Sequence, residues 1–509
     1  MNPLYCVDQI RAIERSAALA LAPGTLMQRA GQAAAKAALQ LLQAVPGHMP
    51  VLVLAGPGDN GGDALETAVR LADAGRQVAL LHFPGALPPS AQTAQALQRA
   101  RASTVRFEQP TPGATLSSFM SSTRWALVID GLFGIGLQRA LAGEMRTLTE
   151  MVNGLDCPVL ALDLPSGLDA DSGAIVGPDG VAVRATNTIT FIGDKPGLHT
   201  CDGRDCAGMV QVARLDLPDS HFPPARAHLN EVGFFSRHLT RRKHNSHKGS
   251  FGDIAVVGGA KGMAGAPILA ARAALFSGAG RVFVAFVACD DAAPGYDSGA
   301  PELMLRSAGQ IDFSAMTLVV GCGMGSAAGP LLERALASPR ALVLDADALN
   351  LIASDQALQA QLAKRSGATI LTPHPLEAAR LLGVSAAQIQ SDRLGAARRL
   401  AERMNATVLL KGSGSVLAAP DGTVVINPTG NPGLATPGTG DILAGLCGSL
   451  LAQGWPQWEA ALGAVWIHGT AADTLVAQGI GPIGLTASEL PAALRLVLNR
   501  LVQECAGHM

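Results

Sequence analysis

The chain has 509 residues, of which 48% are hydrophobic and 15% charged. At roughly 100–200 residues per domain, this length predicts two or more domains, and the low charge excludes intrinsic disorder. Lys and Arg (38) nearly balance Asp and Glu (40), so the basic excess of a nucleic-acid-binding protein is missing. The N-terminus lacks a signal-peptide pattern, and no apolar run reaches the ~20 residues of a membrane span. We therefore expect a cytoplasmic protein without nucleic-acid or membrane partners.

In the first half, short apolar runs alternate with Ala-rich helical stretches. The strand candidates are residues 51–56, 77–83, 126–134 and 159–167. Continuous apolar runs predict strands that are buried on both faces, as in a parallel sheet covered by helices. The alternation therefore predicts an α/β domain.

Polar residues follow the ends of these candidate strands. They lie in AGPGDNGGDA (55–64), in DGLFGIGLQRA (130–140) and in DLPSGLD (163–169), and comprise Asn60, Asp63, Asp130, Asp163 and Ser166. The carboxyl ends of parallel strands meet at one edge of a sheet, so these side chains are expected around one site. Their oxygens suit an alkali or alkaline-earth ion, and a spare carboxylate could carry a proton. The alternative is that Asp130 and Asp163 only cap helices or turns.

These motifs, in this order, resemble the NAD(P)H-hydrate epimerase family over most of residues 5–215. The resemblance implies a Rossmann-like domain over residues 1–222, with Asp163 moving a proton and Asn60, Asp130 and Ser166 holding K⁺. It implies that hydrated NADH or NADPH contacts Asp59, Asn60, Gly61, Gly62, Asp63, Gly134, Ile135, Gly136, Leu137, Gln138, Arg139, Ala140 and Asp163. Asp59 and Ala64 depart from the family pattern, and Asp59 adds negative charge near the nucleotide.

The pattern breaks over residues 214–247, where proline, histidine and charge concentrate, and we predict a domain boundary near residue 225. Strand candidates then resume at 253–259, 281–287, 318–323, 341–347, 368–373 and 407–412. Residues 415–427 predict a hairpin that turns at Asp421 and Gly422. Long Ala- and Leu-rich helices follow from residue 439, so a second α/β domain is expected.

The most specific local signal is the segment NPTGNPGLATPGTGDILAG (427–445), in which GTGD (438–441) opens a long helix. Backbone N–H groups in the first turn of a helix have no helical partners and can surround a transferring phosphoryl group. Asp441 would then accept the proton of a substrate hydroxyl. The alternative is an ordinary helix start that is capped by Thr439.

GTGD before a helix resembles the ribokinase-like fold. With GCGMG (321–325), LDADALN (344–350), TPHPLEAARLL (372–382) and LKGSGS (410–415), the second half resembles ADP-dependent NAD(P)H-hydrate dehydratases over 228–503. The resemblance implies a ribokinase-like domain over residues 228–505 that uses Mg²⁺ and in which Asp441 is catalytic. Hydrate contacts would be Ala266, Gly323, His374 and Asp441, and ADP contacts would be Lys411, Gly412, Ser413, Gly414, Ser415 and Gly440. Cys322 and Met324 depart from the family pattern, and we expect both to be tolerated because they are conservative in bulk.

Together the two resemblances imply an enzyme that epimerises hydrated NAD(P)H and dehydrates it with ADP. Two alternatives remain open at this stage. One is a small-molecule kinase of the ribokinase-like fold with an accessory nucleotide-binding domain, and the other is a non-catalytic nucleotide sensor. The glycine-rich domains and Ala-rich helical faces also suggest a homo-oligomer.

Overall fold

The computed structural model describes residues 2–108, 116–287 and 295–506. The chain divides into two compact units, one over Asn2–Ala227 and one over His228–Met509. The predicted boundary near residue 225 lies close to this division. No helix in the described parts of the chain is long and apolar enough to cross a membrane.

The first unit alternates strands and helices. Its strands are β1 (Asn2–Leu4), β2 (Val51–Ala55), β3 (Val78–His82), β4 (Arg106–Phe107), β5 (Leu127–Gly131), β6 (Val159–Leu162), β7 (Asn187–Phe191) and β8 (Met209–Ala213). Its helices are α1 (Val7–Ala18), α2 (Thr25–Leu41), α3 (Asp59–Asp73), α4 (Ala91–Ala102), α5 (Leu116–Ser122), α6 (Gly143–Asn153) and α7 (Gly203–Cys206).

Seven of these strands form one parallel sheet in the order β4-β3-β2-β5-β6-β7-β8. Every residue of β2 and β5 is buried, because apolar clusters cover both faces of the sheet. Strand β3 pairs with one edge of β2, whereas β5 pairs with the opposite edge, so the strand order reverses at β2. That reversal opens a crevice at the carboxyl ends of β2 and β5, where α/β sheets bind ligands.

The second unit has the same kind of alternation. Its strands are β9 (Ala227–Leu229, at the boundary), β10 (Asp253–Gly258), β11 (Arg281–Phe286), β12 (Met304–Ser307), β13 (Thr317–Val320), β14 (Leu342–Leu344), β15 (Thr369–Leu371), β16 (Thr407–Leu410), β17 (Val416–Ala418) and β18 (Val424–Ile426). Its helices are α8 (Gly265–Phe276), α9 (Gly329–Ala337), α10 (Ala346–Ser354), α11 (Gln356–Ala363), α12 (Pro375–Leu382), α13 (Ala386–Ser391), α14 (Arg393–Met404), α15 (Thr439–Ala452), α16 (Gln457–Ala477) and α17 (Leu490–Ala506).

Strands β12-β11-β10-β13-β14-β15-β16 run parallel, and β17 and β18 complete this part of the sheet antiparallel to their neighbours. The predicted hairpin is therefore present, as β17 and β18. The order reverses at β10, between β11 and β13. The predicted α/β class, with a parallel sheet in each half, is confirmed.

Candidate active sites

A cavity of about 760 Å³ lies at the reversal point of the first sheet. The predicted site residues that line it are Asp59, Asn60, Asp63, Gly134, Ile135, Gly136, Leu137, Gln138, Arg139 and Asp163. They come from the start of α3, from the loop after β5 and from the residue after β6. Arg11 and Glu14 of α1 also border the cavity, and the sequence analysis did not identify them.

Asn60 has an amide group that is buried in the wall of the cavity. Neither its Oδ1 nor its Nδ2 has a hydrogen-bond partner among the described residues. A Cβ atom added to Gly134 would lie 3.3 Å from the Cβ of Asn60, so the glycine loop passes directly over this residue. A buried polar group without a partner is costly, and a bound ligand or ion would satisfy it.

Asp130 and Ser166 lie deeper and are fully buried. The Oδ1 atom of Asp130 accepts a hydrogen bond from Ser166 Oγ at 2.7 Å, and its Oδ2 accepts one from Ser166 N at 2.8 Å. Burial raises the pKa of Asp130, and the hydrogen bonds from Ser166 and Leu132 oppose that rise. The turn-capping role left open for Asp130 is therefore present, while both residues keep oxygen atoms that could hold an ion.

Asp163 follows β6 in a left-handed backbone conformation, with a φ angle of 67°. Such a conformation is uncommon for residues other than glycine and is often found at functional sites. Its Oδ1 accepts a hydrogen bond from Lys195 Nζ at 2.7 Å. Lys195, which follows β7, is buried in the first unit and was not predicted from the sequence.

Two further carboxyl groups at the cavity have raised pKa values. Burial, followed by the charge of Asp163, raises the pKa of Asp63 well above its usual value. The same two causes raise the pKa of Glu14. Asp59 also lines the cavity, and its Oδ1 accepts hydrogen bonds from Ser90 Oγ and Thr93 Oγ1. The cavity therefore presents several acidic groups in unlike environments.

Three of the predicted contacts are not among the residues that line the cavity. Gly61 packs against the backbone of Gly56, where an added Cβ would lie 1.9 Å from a carbonyl oxygen. Gly62 packs against the side chain of Met27. Ala140 is exposed at the end of the glycine loop. In this structure the two glycines allow α3 to approach its neighbours closely.

In the second unit, GTGD opens α15, and Gly438 precedes the helix with a φ angle of 90°. Asp441 lies in the first turn. Burial raises the pKa of Asp441 to about 6, and the negative charge of Asp345 adds to that rise. A carboxylate with a pKa close to neutrality is suited to accept a proton from a hydroxyl group.

The buried Asp345, which follows β14, and the partly buried Lys411, which follows β16, form an ion pair beside Asp441. Lys411 Nζ lies 2.7 Å from Asp345 Oδ1. A Cβ atom on Gly440 would lie 3.2 Å from Lys411 Nζ and 3.9 Å from Asp345 Oδ2. Desolvation lowers the pKa of Lys411, but Asp345 and Glu377 outweigh it and the net direction is upward. Lys411 therefore keeps its positive charge, and its ammonium group lies beside the first turn of α15.

Cys322 brings a thiol to the same place. Its Sγ atom and one carboxylate oxygen each from Asp345 and Asp441 lie within 4.8 Å of one another. The thiol hydrogen-bonds Asp441, which lowers the pKa of that carboxyl group. The pKa of Cys322 itself is far above its usual value because of burial and the two carboxylates. Cys322 thus contacts Asp441, the predicted base. The sequence analysis considered only the size of the Cys322 side chain and did not predict this contact.

His374 caps α12. Its Nδ1 accepts hydrogen bonds from the backbone N–H groups of Leu376 and Glu377, at 3.1 and 3.3 Å. Desolvation and the charge of Lys411 lower the pKa of His374. The backbone carbonyl of Pro373 accepts a hydrogen bond from Lys411 N at 2.8 Å, which keeps His374 beside the ion pair. The imidazole is therefore neutral and already engaged in a structural contact.

The loop over residues 411–415 contains most of the predicted ADP contacts: Lys411, Gly412, Ser413, Gly414 and Ser415. Arg393, at the start of α14, lies buried beneath it and was not predicted from the sequence. The Arg393 guanidinium donates to the backbone carbonyls of Leu410, Lys411 and Gly414 at 3.3–3.4 Å. The remaining predicted hydrate contacts also adjoin one another, since a Cβ on Gly323 would lie 3.2 Å from the Cβ of Ala266.

The atoms that could coordinate the predicted K⁺ and Mg²⁺ ions differ between the two sites. The unpartnered Oδ1 of Asn60 and the oxygens of Asp130 and Ser166 are hard ligands, which fit K⁺. In the second unit the carboxylate oxygens of Asp345 and Asp441 fit Mg²⁺, whereas the sulfur of Cys322 does not.

The residues missed by the sequence analysis share a weak local signal. Neither Lys195 nor Arg393 directly follows an apolar run, and their partners are distant in sequence. Asp345 lies in the motif LDADALN, so a carboxylate directly after an apolar run could have identified it. Strand β7 was not predicted, so Lys195 could not be placed near the end of a strand.

Family models match both units. One described as YjeF-related protein N-terminus matches residues 23–197, and one described as NAD(P)H-hydrate dehydratase matches residues 254–494. The ADP-dependent (S)-NAD(P)H-hydrate dehydratase of Neisseria meningitidis is 45% identical over 52% of this chain and 90% of its own. A crystal structure of the ADP/ATP-dependent NAD(P)H-hydrate dehydratase of Bacillus subtilis covers 53% of this chain and 97% of its own, at 29% identity and a TM-score of 0.46.

Similarity also extends over the whole chain. The bifunctional NAD(P)H-hydrate repair enzyme of Coxiella burnetii is 36% identical over 98% of this chain and 100% of its own. The enzyme of the same name from Escherichia coli is 36% identical over 98% of this chain and 94% of its own. The chain belongs to the family of bifunctional NAD(P)H-hydrate repair enzymes.

Proposed function

We propose that the chain repairs hydrated NADH and NADPH in two steps, one in each unit. The first unit interconverts the two epimers of the hydrate. The second unit dehydrates the S epimer at the expense of ADP, giving NAD(P)H, AMP and phosphate. The observation that carries this proposal is the position of Asp441, a carboxylate of raised pKa in the first turn of α15 and beside the Lys411–Asp345 pair.

In the second unit, Asp441 accepts the proton of the hydrate's hydroxyl group while that oxygen attacks the terminal phosphorus of ADP. The bond to AMP breaks, and the hydroxyl becomes a phosphate ester. Phosphate is a far better leaving group than hydroxide, so the carbon–oxygen bond then breaks, a proton leaves the neighbouring ring carbon, and the reduced nicotinamide is restored.

The surroundings of Asp441 supply the charge stabilisation that this transfer needs. Backbone N–H groups at the start of α15, with the ammonium of Lys411, face the phosphoryl group as its charge is redistributed. When bound, Mg²⁺ would neutralise phosphate charge, and Asp345 is the carboxylate that would help to hold it. The loop 411–415 would hold ADP, and Ala266, Gly323 and His374 would contact the hydrate.

In the first unit, Asp163 would carry the proton that moves during epimerisation, and the residues that line the cavity would bind the hydrate. Asn60, Asp130 and Ser166 would hold K⁺, which when bound would fix the position of the glycine loop and offset nearby negative charge. Cytoplasmic location and a homo-oligomeric assembly are further parts of this proposal.

The kinase and sensor alternatives are less well supported. Neither requires the cavity with Asn60, Asp130 and Asp163 to accompany the GTGD helix, whereas the repair enzyme uses both. Family relatives over the full length of the chain also carry both parts.

A single assay would test the whole proposal. Recovery of reduced nicotinamide is followed by its near-ultraviolet absorbance from a mixture of both hydrate epimers, with ADP and Mg²⁺. The chains compared are the wild type, Asp441→Asn and Asp163→Asn. We expect full, fast recovery with the wild type and recovery slowed by roughly 10²–10⁴-fold with Asp441→Asn. With Asp163→Asn we expect a fast partial phase followed by slow spontaneous epimerisation.

Three outcomes would contradict the proposal. Fast, complete recovery with Asp163→Asn would remove Asp163 from epimerisation. Recovery with Asp441→Asn at close to the wild-type rate would show that Asp441 is not the base for phosphoryl transfer. Accumulation of a phosphorylated alcohol without reduced nicotinamide would favour the kinase alternative.

A further inference from the structure

Lys195 is a charged side chain in the interior of the first unit, with 1% of its surface exposed. Its Nζ atom is surrounded by four oxygen acceptors. These are Asp163 Oδ1 and Thr190 Oγ1, both at 2.7 Å, and the backbone carbonyls of Phe191 and Gly193 at 3.1 and 3.2 Å. Burying an ammonium group is costly unless it is paired and hydrogen-bonded, and here Asp163 supplies the negative charge.

The two oxygens of Asp163 have different surroundings. Oδ1 accepts from Lys195 Nζ and, at 3.3 Å, from Phe191 N. Oδ2 lies 3.5 Å from the position that a Cβ on Gly134 would occupy, and therefore faces the glycine loop that lines the cavity. One oxygen is thus fixed to the protein while the other is presented to the ligand space.

The backbone at this point also needs support. Asp163 has a φ angle of 67°, and Ile192, between two of the carbonyls that Lys195 contacts, has a φ angle of 68°. Left-handed conformations in residues other than glycine persist where surrounding contacts hold them. Lys195 bonds to both segments and so ties the end of β6 to the turn after β7.

We propose that Lys195 is a positioning residue for epimerisation: it holds Asp163 so that Oδ2 points to the reacting carbon of the hydrate. This inference rests on the function proposed for the first unit. Lys195 itself does not line the cavity, so it acts through Asp163 and not by contact with the substrate.

The competing explanation is that Lys195 only stabilises the fold, as other buried polar contacts do. The two explanations differ in what they change. Misplacing a catalytic group by about 1 Å costs on the order of 100-fold in rate even when substrate binding is retained. A purely structural role would instead loosen the whole cavity in the folded variant, so hydrate binding would weaken together with turnover.

Strand β7 offers a matched pair of variants. Thr190 and Thr188 lie two residues apart, on the same face of the strand, and both are fully buried. Thr190 Oγ1 contacts Lys195 Nζ, whereas Thr188 Oγ1 donates to the carbonyl of Ala207 at 2.7 Å. Thr190→Val removes one acceptor of the lysine, and Thr188→Val makes the same change away from it.

The experiment uses the full chain and measures kcat and KM for epimerisation of the hydrate. Circular dichroism shows whether each variant is folded, and ADP-driven dehydration of the S epimer shows that the second unit is intact. For Lys195→Met we expect kcat to fall on the order of 100-fold while KM changes less than about threefold. For Lys195→Arg, which keeps a cation, we expect a partial recovery of kcat. For Thr190→Val we expect a smaller loss, roughly three- to tenfold, and for Thr188→Val less than about twofold.

Equal losses in Thr190→Val and Thr188→Val, or a rise in KM that accounts for the whole effect of Lys195→Met, would overturn the positioning role. If Lys195→Met does not fold, the two threonine variants still decide between the explanations. Absence of epimerisation by the wild type would overturn the function proposed for the first unit, which is a different result.

Discussion

Both candidate active sites contain a lysine paired with an aspartate, but the proposed mechanism gives the two pairs different roles. In each, a lysine donates to Oδ1 of an aspartate at 2.7 Å, as the buried Lys195 does with Asp163 and the partly buried Lys411 with Asp345. In each, Oδ2 of that aspartate faces a glycine, 3.5 Å from the Cβ position of Gly134 and 3.9 Å from that of Gly440. The aspartates follow parallel strands, so the sheet edge places both pairs in the same way.

The difference lies in which carboxylate would carry the proton. In the first unit it is the paired residue, Asp163. In the second unit it is Asp441, which stands beside the pair, and the charge of Asp345 helps to raise its pKa to about 6. The same ion pair can therefore hold one carboxylate in place or adjust the basicity of its neighbour. Four experiments test this division of roles between the two units.

The largest effect is expected from Asp441→Asn, which removes the proposed base and keeps the shape of the side chain. General-base catalysis contributes roughly 10²–10⁴-fold, so dehydration should fall by about that factor. Epimerisation should stay within about twofold, because Asp441 and the first cavity lie in different units. Separate assays of the two steps check both expectations, and a matching loss of epimerisation would contradict the division of labour.

The next effect concerns K⁺ in the first unit. Replacing K⁺ by tetramethylammonium should slow epimerisation, by roughly tenfold or more if the ion offsets charge near Asp163, and leave dehydration of the S epimer less affected. Asn60→Ala removes the unpartnered amide and should abolish the response to K⁺. Titrations of both chains with K⁺ measure this. A response that persists in Asn60→Ala would show that the ion binds elsewhere.

Arg393→Met should raise the KM for ADP by about tenfold, because Arg393 supports the loop 411–415 from below. Arg365→Met is a matched control. Arg365 is also buried, and it donates to the carbonyls of Leu336, Ser338 and Arg340 instead. Both variants should lower the melting temperature, but only Arg393→Met should change KM. Equal changes in KM would mean that the support is not specific to the loop.

The smallest effect is a shift in pH dependence. Asp441 must be ionised to accept a proton, so dehydration should be half-maximal near its pKa of about 6 and fall at lower pH. The thiol of Cys322 stabilises the ionised form, so Cys322→Ala should raise the pKa of Asp441 and move the midpoint upward by about half a unit. Cys322→Ser should restore the wild-type midpoint. The pH dependence of kcat, measured for the wild type and the two Cys322 variants, gives these midpoints. An unchanged or lowered midpoint in Cys322→Ala would contradict the stabilisation of ionised Asp441 by the thiol.

Much of the architecture could be predicted from the sequence. Strands such as β2 and β5 are buried on both faces and therefore read as continuous apolar runs. The GTGD segment located the start of α15 correctly. The resemblance to known families then supplied roles for residues such as Asp163 and Asp441, which geometry alone does not assign.

The contacts that support those residues could not be predicted in this way. Strand β7 (Asn187–Phe191) contains polar as well as apolar side chains, so it was not recognised as a continuous apolar run. Without this strand, nothing in the sequence placed Lys195 near a strand end. Lys411 and Asp345 are 66 residues apart, and Asp130 and Ser166 are 36 apart. Periodicity reports on local structure, whereas these pairings depend on strand order and on burial in three dimensions.

The burial of Cys322 has a practical consequence for chemical labelling. Cysteine reacts as the thiolate, and a thiol whose pKa lies far above its usual value carries almost none at neutral pH. Maleimide or iodoacetamide dyes should therefore modify partly exposed cysteines such as Cys201 and Cys505 long before they reach the dehydration site. Fluorescent reporters can thus be attached to the natural sequence while the thiol closest to Asp441 stays intact.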